Sequence, residues 1–430
     1  MRTERVGLIA VCVGLALAAL GGAAQAQESR SEGLLAAADK VDITPTHSVY
    51  MAGYAGNRRS VGAHDPLMAR CLVMQQGPTR IAFVSCDLLG VPRYQIEQIR
   101  AKVRSVAPEH LYIAATHTHS GPDTLGQWGP DLQTSGVDQE WMAGFRAKVA
   151  RLVDATAARL QPAVLKFAST KQVPRISKNI RVPQILDTEL GVMQVLARDT
   201  QKPIATLVNY ACHPEILNTH HLTADFPHWL YETVEGKAGG VCLYLNGAQG
   251  GMVTADFDET TAPKGENWQA AEAIGTSLGQ RAQELLGQAE IVREAPIQTQ
   301  QRVFTVPLEN AQFKALIALK VFPNLLKDGQ IETEVNRITI GPAEFLTLPG
   351  EVLPNIGLYL KRLMSGQPKF LLGLTCDELG YILTPEDYGL DLYRYETSVS
   401  VGSEMGARME QNLRALLLTD GRKRARVGKH

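Results

Sequence analysis

The chain has 430 residues, 45% of them hydrophobic and 20% charged, with 43 basic side chains against 44 acidic ones. A net charge this close to zero, with no basic stripe interleaved with aromatics, argues against nucleic acid as a partner. The length can bury a large core, and it exceeds the usual span of one domain without forbidding a single large α/β unit.

Met1 to Ala26 combines a basic opening (Arg2, Arg5), an apolar run from Val6 to Ala19 and the small residues of Ala24-Gln25-Ala26. This is the pattern of a secretory signal peptide over 1–26, cleaved before Gln27, and it predicts an exported protein, periplasmic or secreted. The apolar run falls short of the ~20 residues a spanning helix needs, so no stable membrane span is expected after cleavage. Cys71, Cys86, Cys212, Cys242 and Cys376 remain in the mature chain. An odd, sparse set in strand-like runs reads as small buried residues with at most one or two bridges rather than a disulfide framework.

Beyond the leader, short apolar runs rich in β-branched and aromatic residues alternate with stretches of helical period. In chain order the pattern predicts strands at 69–75 and 80–85, a helix at 94–105, a strand at 111–115 and a helix at 139–160. Strands at 163–169, 191–197 and 204–211 follow, then a helix at 227–237, a strand at 241–245 and a helix at 268–286. The stretch 291–306, of mostly polar alternation, reads as an edge strand or the seam of a subdomain. Strands at 337–341 and 344–348, a helix at 353–365, a strand at 369–374 and a helix at 403–417 complete the series. Pro227 and Pro354 fall near helix starts, where proline is tolerated. No linker or repeat interrupts 27–420, which reads as one α/β domain; the basic run Arg422, Lys423, Arg424, Arg426 and Lys429 reads as a disordered, solvated tail over 421–430.

The chemistry concentrates just past strand ends. After 111–115 comes Thr116-His117-Thr118-His119-Ser120-Gly121-Pro122. A chain that stayed extended through Thr118 would point both imidazoles to one side of the backbone. After 204–211 comes Cys212-His213-Pro214-Glu215; after 344–348, Pro349-Gly350-Glu351; after 369–374, Asp377 and Glu378 lead to Gly380-Tyr381. Loops at the carboxyl edge of an α/β sheet are free of core duty while the strands hold them rigid, and ligands bind there. Two imidazoles, a carboxylate and a phenol suit Zn²⁺ with one position open for water. Taken singly, His213 reads as a hydrogen-bonded histidine at a strand exit. Glu351 reads as an acid opening a helix, favoured by the dipole, and Tyr381 as a core aromatic. His220, His221 and His228 could compete as ligands, yet their spacing matches no zinc motif.

Together with Asn209-Tyr210-Ala211-Cys212-His213-Pro214, Ala224-Asp225-Phe226-Pro227, Leu245-Asn246-Gly247-Ala248-Gln249-Gly250, Pro349-Gly350-Glu351 and Gly380-Tyr381, the Thr-His-Thr-His-Ser-Gly-Pro segment resembles the catalytic domain of the neutral/alkaline non-lysosomal ceramidases. The likeness runs from Asp42-Ile43-Thr44-Pro45, through His64-Asp65-Pro66-Leu67, to the Tyr381 region, and so covers most of the mature chain. It implies a layered mixed β-sheet flanked by helices, with the metal site at the carboxyl ends of strands. It also implies a Zn²⁺-dependent hydrolase of linear amides acting on lipid-like acyl substrates, with sphingolipid among them. Carried over by position, the metal ligands are His117, His213, Glu351 and Tyr381. His119 falls beside the reaction centre as a hydrogen-bonding or proton-shuttling group, and Tyr395, in Tyr395-Glu396, falls near the substrate amide, although two extra residues separate it from Tyr381. Zinc lowers the pKa of bound water and polarises the carbonyl, which a poorly electrophilic amide needs.

Three departures bear on this expectation. Where ceramidases carry Gly-Asp-Val-Ser-Pro, this chain reads Gly250-Gly251-Met252-Val253-Thr254, so no serine role carries over. The family's basic residue has only Arg181 as its nearest match. With its end at His430, the sequence is expected to lack the C-terminal immunoglobulin-like domain of full ceramidases. The alternatives are a metallohydrolase of esters or other acyl bonds, and a non-catalytic metal-binding relative.

Overall fold

The structure, a computed structural model, describes residues 33–258, 266–323 and 326–427, with side chains through 418. The expected leader lies outside the described residues. The first sheet is built from β1 (Leu35–Asp42), β2 (Met68–Gln76), β3 (Thr79–Cys86), β4 (Leu111–Ala115), β5 (Gln161–Thr170), β6 (Leu190–Ala197), β7 (Pro203–Tyr210) and β8 (Val241–Asn246). Their order across the sheet is β8-β7-β6-β5-β1-β2-β3-β4, with a two-residue strand at Ile291–Val292 against β5. The pairs β8/β7 and β3/β4 are parallel and the others antiparallel. A second, smaller sheet holds β9 (Ile297–Pro307), β10 (Gln330–Ile340), β11 (Ala343–Thr347) and β12 (Lys369–Leu372) in that order, with only β11/β12 parallel.

The period-2 pleat separates two cores. Cys71, Val73, Ala82 and Val84 on β2 and β3 face helices α1 (Arg93–Arg100) and α2 (Gln139–Ala157), meeting Ile96, Phe145, Val149 and Val153. Their neighbours Leu72, Met74, Ile81 and Phe83 face the second sheet and pack on Ile338, Phe345 and Phe370. There Phe345 stacks on Phe370 with ring centroids 4.3 Å apart. Helices α3 (Phe226–Ala238) and α4 (Trp268–Gln288) cover β7 and β8. The far face of the second sheet is covered by α6 (Pro354–Leu363) and α7 (Met405–Val427). The result is four layers, helix-sheet-sheet-helix, with a short helix α5 (Ala311–Ala318) in the β9–β10 connection. From Gly33 on, the described chain is one compact unit.

The expected layered α/β architecture is therefore present. The stretch expected at 291–306 divides: Ile291–Val292 pairs with β5 of the first sheet, and from Ile297 the chain forms β9, an edge strand of the second. Helix α7 runs on to Val427 and takes in most of the basic run expected as a tail. Glu351 does not open a helix: it lies in the two-residue strand Glu351–Val352, and α6 starts at Pro354. All five cysteines are buried free thiols, and among the described residues none is bridged. No helix among the described residues is long and apolar enough to cross a membrane.

Candidate metal centre

Strand β4 stops at Ala115, and the chain then turns sharply enough that His117 takes φ +76°. The extended geometry expected through Thr118 is therefore not what unites the two histidines. A left-handed backbone at a non-glycine residue costs on the order of 1–3 kcal/mol and persists where surroundings over-determine it. Here Thr116 N–H donates to the Cys86 carbonyl and His117 N–H to that of Leu88, both at 2.9 Å, which fixes the turn against the end of β3. Met252, Leu374 and Cys376, on the loops beyond β8 and β12, share the positive φ.

One buried amide ties these loops together. Asn246, at the end of β8, donates from Nδ2 to the Thr116 carbonyl (3.1 Å) and the Cys212 carbonyl (2.9 Å). Its Oδ1 accepts from the Cys212 and Gly247 N–H groups at 3.1 and 2.9 Å. The segment beyond β12 closes over from the second sheet, with Gly373 N–H donating to the Asn246 carbonyl and Cys376 N–H to that of Ile113. The carboxyl ends of strands from both sheets therefore converge on one place.

His117 Nδ1 lies 2.7 Å from the Leu89 carbonyl and His213 Nδ1 lies 2.9 Å from that of Val253. A carbonyl can only accept, so each Nδ1 carries a proton and each Nε2 is turned inward, as in metal-ligating histidines whose ring is fixed from behind. Both Nε2 atoms face one oxygen: Glu351 Oε2 lies 3.3 Å from that of His117 and 2.9 Å from that of His213. A carboxylate oxygen also only accepts. A positive centre must therefore lie among these atoms, a proton at the least, and a divalent cation meets the same demand. Burial alone would keep His213 neutral, but its hydrogen bond to Glu351 and the nearby carboxylates outweigh that and raise it to about 9. Burial likewise opposes the Glu351 charge, and the two imidazoles overcome it to hold the carboxyl well below its ordinary range.

His119 completes a group of three imidazoles whose ligand atoms lie within 4.8 Å of one another. Its setting differs from theirs. Neither ring nitrogen has a hydrogen-bond partner, and the nearest acid, Glu215 Oε2, is 3.7 Å from Nδ1. Burial first, then the neighbouring imidazoles, push it well below its usual pKa, so it stays neutral. Gly53 lies against the ring so closely that an added Cβ would meet His119 Cβ at 2.6 Å. Tyr54 packs edge-on at 5.1 Å and donates through its hydroxyl to the Glu215 backbone carbonyl.

Tyr381 is brought beside Glu351 because the strands Glu351–Val352 and Tyr381–Ile382 pair in parallel with these two residues in register. Its hydroxyl lies 3.7 Å from Met252 Sδ, in the loop where the sequence departs from Gly-Asp-Val-Ser-Pro. Burial, then the Glu351 charge, push the phenol well up; a bound cation acts in the opposite sense. Tyr395 stands 5.9 Å from Tyr381, ring to ring, despite the two extra residues between them. Arg181 reaches the same neighbourhood but is engaged by the buried Glu396, at 2.7 and 3.3 Å. His220 and His221 do not join the cluster: His220 Nδ1 meets the Arg59 carbonyl and His221 Nδ1 meets Thr219. His228 faces Asp65 instead.

A cleft of about 170 Å³ opens onto His117, His119, Glu351, Tyr381 and Tyr395. Most of its remaining wall is apolar, supplied by Leu125, Trp128, Leu308, Phe313, Ile317 and Phe322 among others, with Gln127 and Glu378 as polar members. Four participants have no marked sequence signal: Tyr54, Glu215, Glu378 and α5. Glu215 and Glu378 stood in the polar clusters without a role, and only long-range packing gives Tyr54 one.

The fold and this cluster define a layered α/β protein whose strand ends hold a buried histidine–carboxylate site fit for a divalent metal. Over 279 residues, 58% of this chain and 42% of the relative, the sequence is 25% identical to the neutral ceramidase of Pseudomonas aeruginosa. The matched stretch thus spans less than half of that relative's length. The crystal structure of neutral ceramidase from Pseudomonas aeruginosa superposes with a TM-score of 0.75 at 18% identity, covering 90% of this chain and 74% of that one. A ceramidase complexed with C2 matches equally, with a TM-score of 0.75 at 17% identity over 91% and 76%. No family model matches the chain. The chain is neutral-ceramidase-like in sequence and in fold.

Proposed function

We propose that this protein is an exported zinc-dependent hydrolase of linear N-acyl amides, with a lipid-like acyl substrate. The observation that carries the reading is the shared focus of two imidazoles, each fixed through Nδ1 on a backbone carbonyl, on one Glu351 oxygen. His117, His213, Glu351 and Tyr381 would hold the zinc. When bound there, zinc supplies an acidified water and a polarised carbonyl, the two things amide hydrolysis needs.

The other roles fall to this chain's own groups. His119, neutral and without a hydrogen-bond partner at either nitrogen, is free to take a proton from the attacking water and pass it to the departing amine. Glu215 beside it stabilises the charged ring while the proton is held. Tyr395, beside Tyr381 in the cleft, orients the amide, and the apolar wall receives the acyl chain and excludes water from the reacting bond. Val253 occupies the position of the serine in Gly-Asp-Val-Ser-Pro and uses its carbonyl to orient His213. The absence of a serine at that position supports attack by water rather than by a protein nucleophile. The test is hydrolysis of a series of N-acyl amides by the full chain, with and without a chelator and with zinc restored. Chelator-sensitive, zinc-restored amide cleavage is expected. Absence of cleavage, or cleavage indifferent to the chelator, overturns the reading.

A further inference from the structure

Two adjacent carboxyls in the segment leading to Tyr381 are treated very differently by the fold. Asp377 is saturated: Oδ1 accepts from the Arg93 and Glu378 N–H groups, both at 2.9 Å, and Oδ2 from the Thr333 hydroxyl at 2.8 Å. Glu378 has one bond, from Gly380 N–H to Oε1 at 3.1 Å, while its Oε2 is shielded from water and has no partner. An unmade hydrogen bond at a buried polar atom is costly enough to call for an explanation. The side chain is closely seated: Gly90 yields it space, since a Cβ there would meet Glu378 Cγ at 2.5 Å. The neighbouring Leu89 carbonyl is the one that orients His117, so this short turn both sets a histidine of the metal cluster and seats the carboxyl. Glu378 borders the cleft it shares with His117, Glu351 and Tyr381, amid the apolar side chains of Leu89, Leu125 and Leu379.

We infer that Glu378 is a specificity-determining residue that takes a hydrogen-bond donor, a hydroxyl or an amino group, carried by the amine portion of the substrate. This rests on the acyl-amide reading above and adds to it the residue that would tell a donor-bearing amine portion from a simple N-alkyl one. A site that presents a buried polar group discriminates against an analogue lacking its partner, because that group is then left unpaired.

The test is one of binding, so that it does not depend on turnover. Non-hydrolysable dodecanesulfonamides carrying ethyl, 2-hydroxyethyl, 2-aminoethyl or 1,3-dihydroxyprop-2-yl on nitrogen are titrated calorimetrically into the full chain. At least one donor-bearing ligand should bind about tenfold more tightly than the ethyl compound. In Glu378→Met, which keeps a linear side chain, that preference should vanish. Glu378→Gln should retain a preference for hydroxyl and lose any for the amine, and it remains readable should the methionine variant fail to fold. Equal binding of all four ligands, a preference that survives in Glu378→Met, a Glu378→Gln profile unlike that expected, or no binding at all overturns the assignment. Loss of chelator-sensitive hydrolysis would break the proposed function alone, because these ligands are not cleaved.

Discussion

The two halves of the cleft are built on opposite plans. On the polar side, His117 and His213 are each fixed by a backbone carbonyl, and the loops that carry them are tied by Asn246 to the ends of β4, β7 and β8. On the apolar side, Phe313 and Ile317 come from α5, an eight-residue helix none of whose residues is fully buried, between the strands β9 and β10. One half is over-determined by directional bonds and the other is held by non-directional packing. The difference suits the proposed division of labour: chemistry needs atoms placed within fractions of an ångström, whereas an acyl chain needs only area and the exclusion of water.

Breaking the polar half should have the largest effect. His213→Ala removes an inward-facing nitrogen and leaves the Glu351 carboxylate buried without it, so acyl hydrolysis should fall by roughly 10³-fold or more. His119→Ala should keep the metal yet lose roughly 10²–10⁴ in kcat, the usual worth of a positioned proton-transfer group. Equal loss of metal in both variants would show that the three imidazoles are equivalent.

The scaffold beneath comes next. Asn246→Ala leaves the Cys212 N–H and the Thr116 carbonyl without this partner, while the Gly247 N–H keeps the Tyr210 carbonyl and the Cys212 carbonyl keeps the Tyr244 hydroxyl, and should lower stability by on the order of 2–4 kcal/mol in denaturant unfolding. A loss under about 1 kcal/mol would mean the strand ends hold together without it.

A pH titration probes the anchor of the apolar side. Glu334 on β10, the strand that also supplies Ile331 to the cleft, accepts from both terminal nitrogens of Arg100 at 2.8 Å. Burial opposes its charge, but Arg100 and Arg93 hold the carboxyl down to about 2. A folded pKa below the unfolded value near 4.5 adds stability that is present above that value and lost as pH falls towards 2. Stability should drop across that window by on the order of 2–3 kcal/mol more in the wild type than in Glu334→Gln. Parallel acid curves would place the anchor elsewhere.

The smallest effect belongs to the wall itself. Phe313→Ala should lower kcat/KM for long acyl chains by about fivefold to tenfold, in line with the apolar area removed, and leave short-chain substrates unchanged. A uniform loss at every chain length would mean that α5 positions the polar half as well.

Much of this division was legible in the sequence. The strands flanking the histidines announce themselves because both faces are buried and their apolar runs are continuous; 111–115 agrees residue for residue with β4. The chain order of His117, His213, Glu351 and Tyr381 past four strand ends pointed to a single edge. What failed had local causes. Strand β1, Leu-Ala-Ala-Ala-Asp-Lys-Val-Asp, has the small side chains a central strand between β5 and β2 accepts, and alanine carries no strand signal. Helix α5 buries no residue fully, because Phe313 and Ile317 lie between the margin of a core and the open cleft. Glu351 read as a helix opener because Pro354 follows so closely, yet its pairing with Tyr381 is 30 residues distant in sequence. Tyr54 and Glu378 gain their roles only from contacts across the molecule, with Glu215 in the one case and Gly90 in the other.

The central claim is that His117, His213 and Glu351 form a metal site and not merely a buried ion pair. Its most direct test is the metal content, by plasma mass spectrometry, of the full chain and of His213→Ala after equilibration with zinc and removal of free ion. One zinc per wild-type chain, with background levels in the variant, is the result the account predicts. A wild-type chain that retains no zinc, or a His213→Ala variant that retains as much, would contradict it.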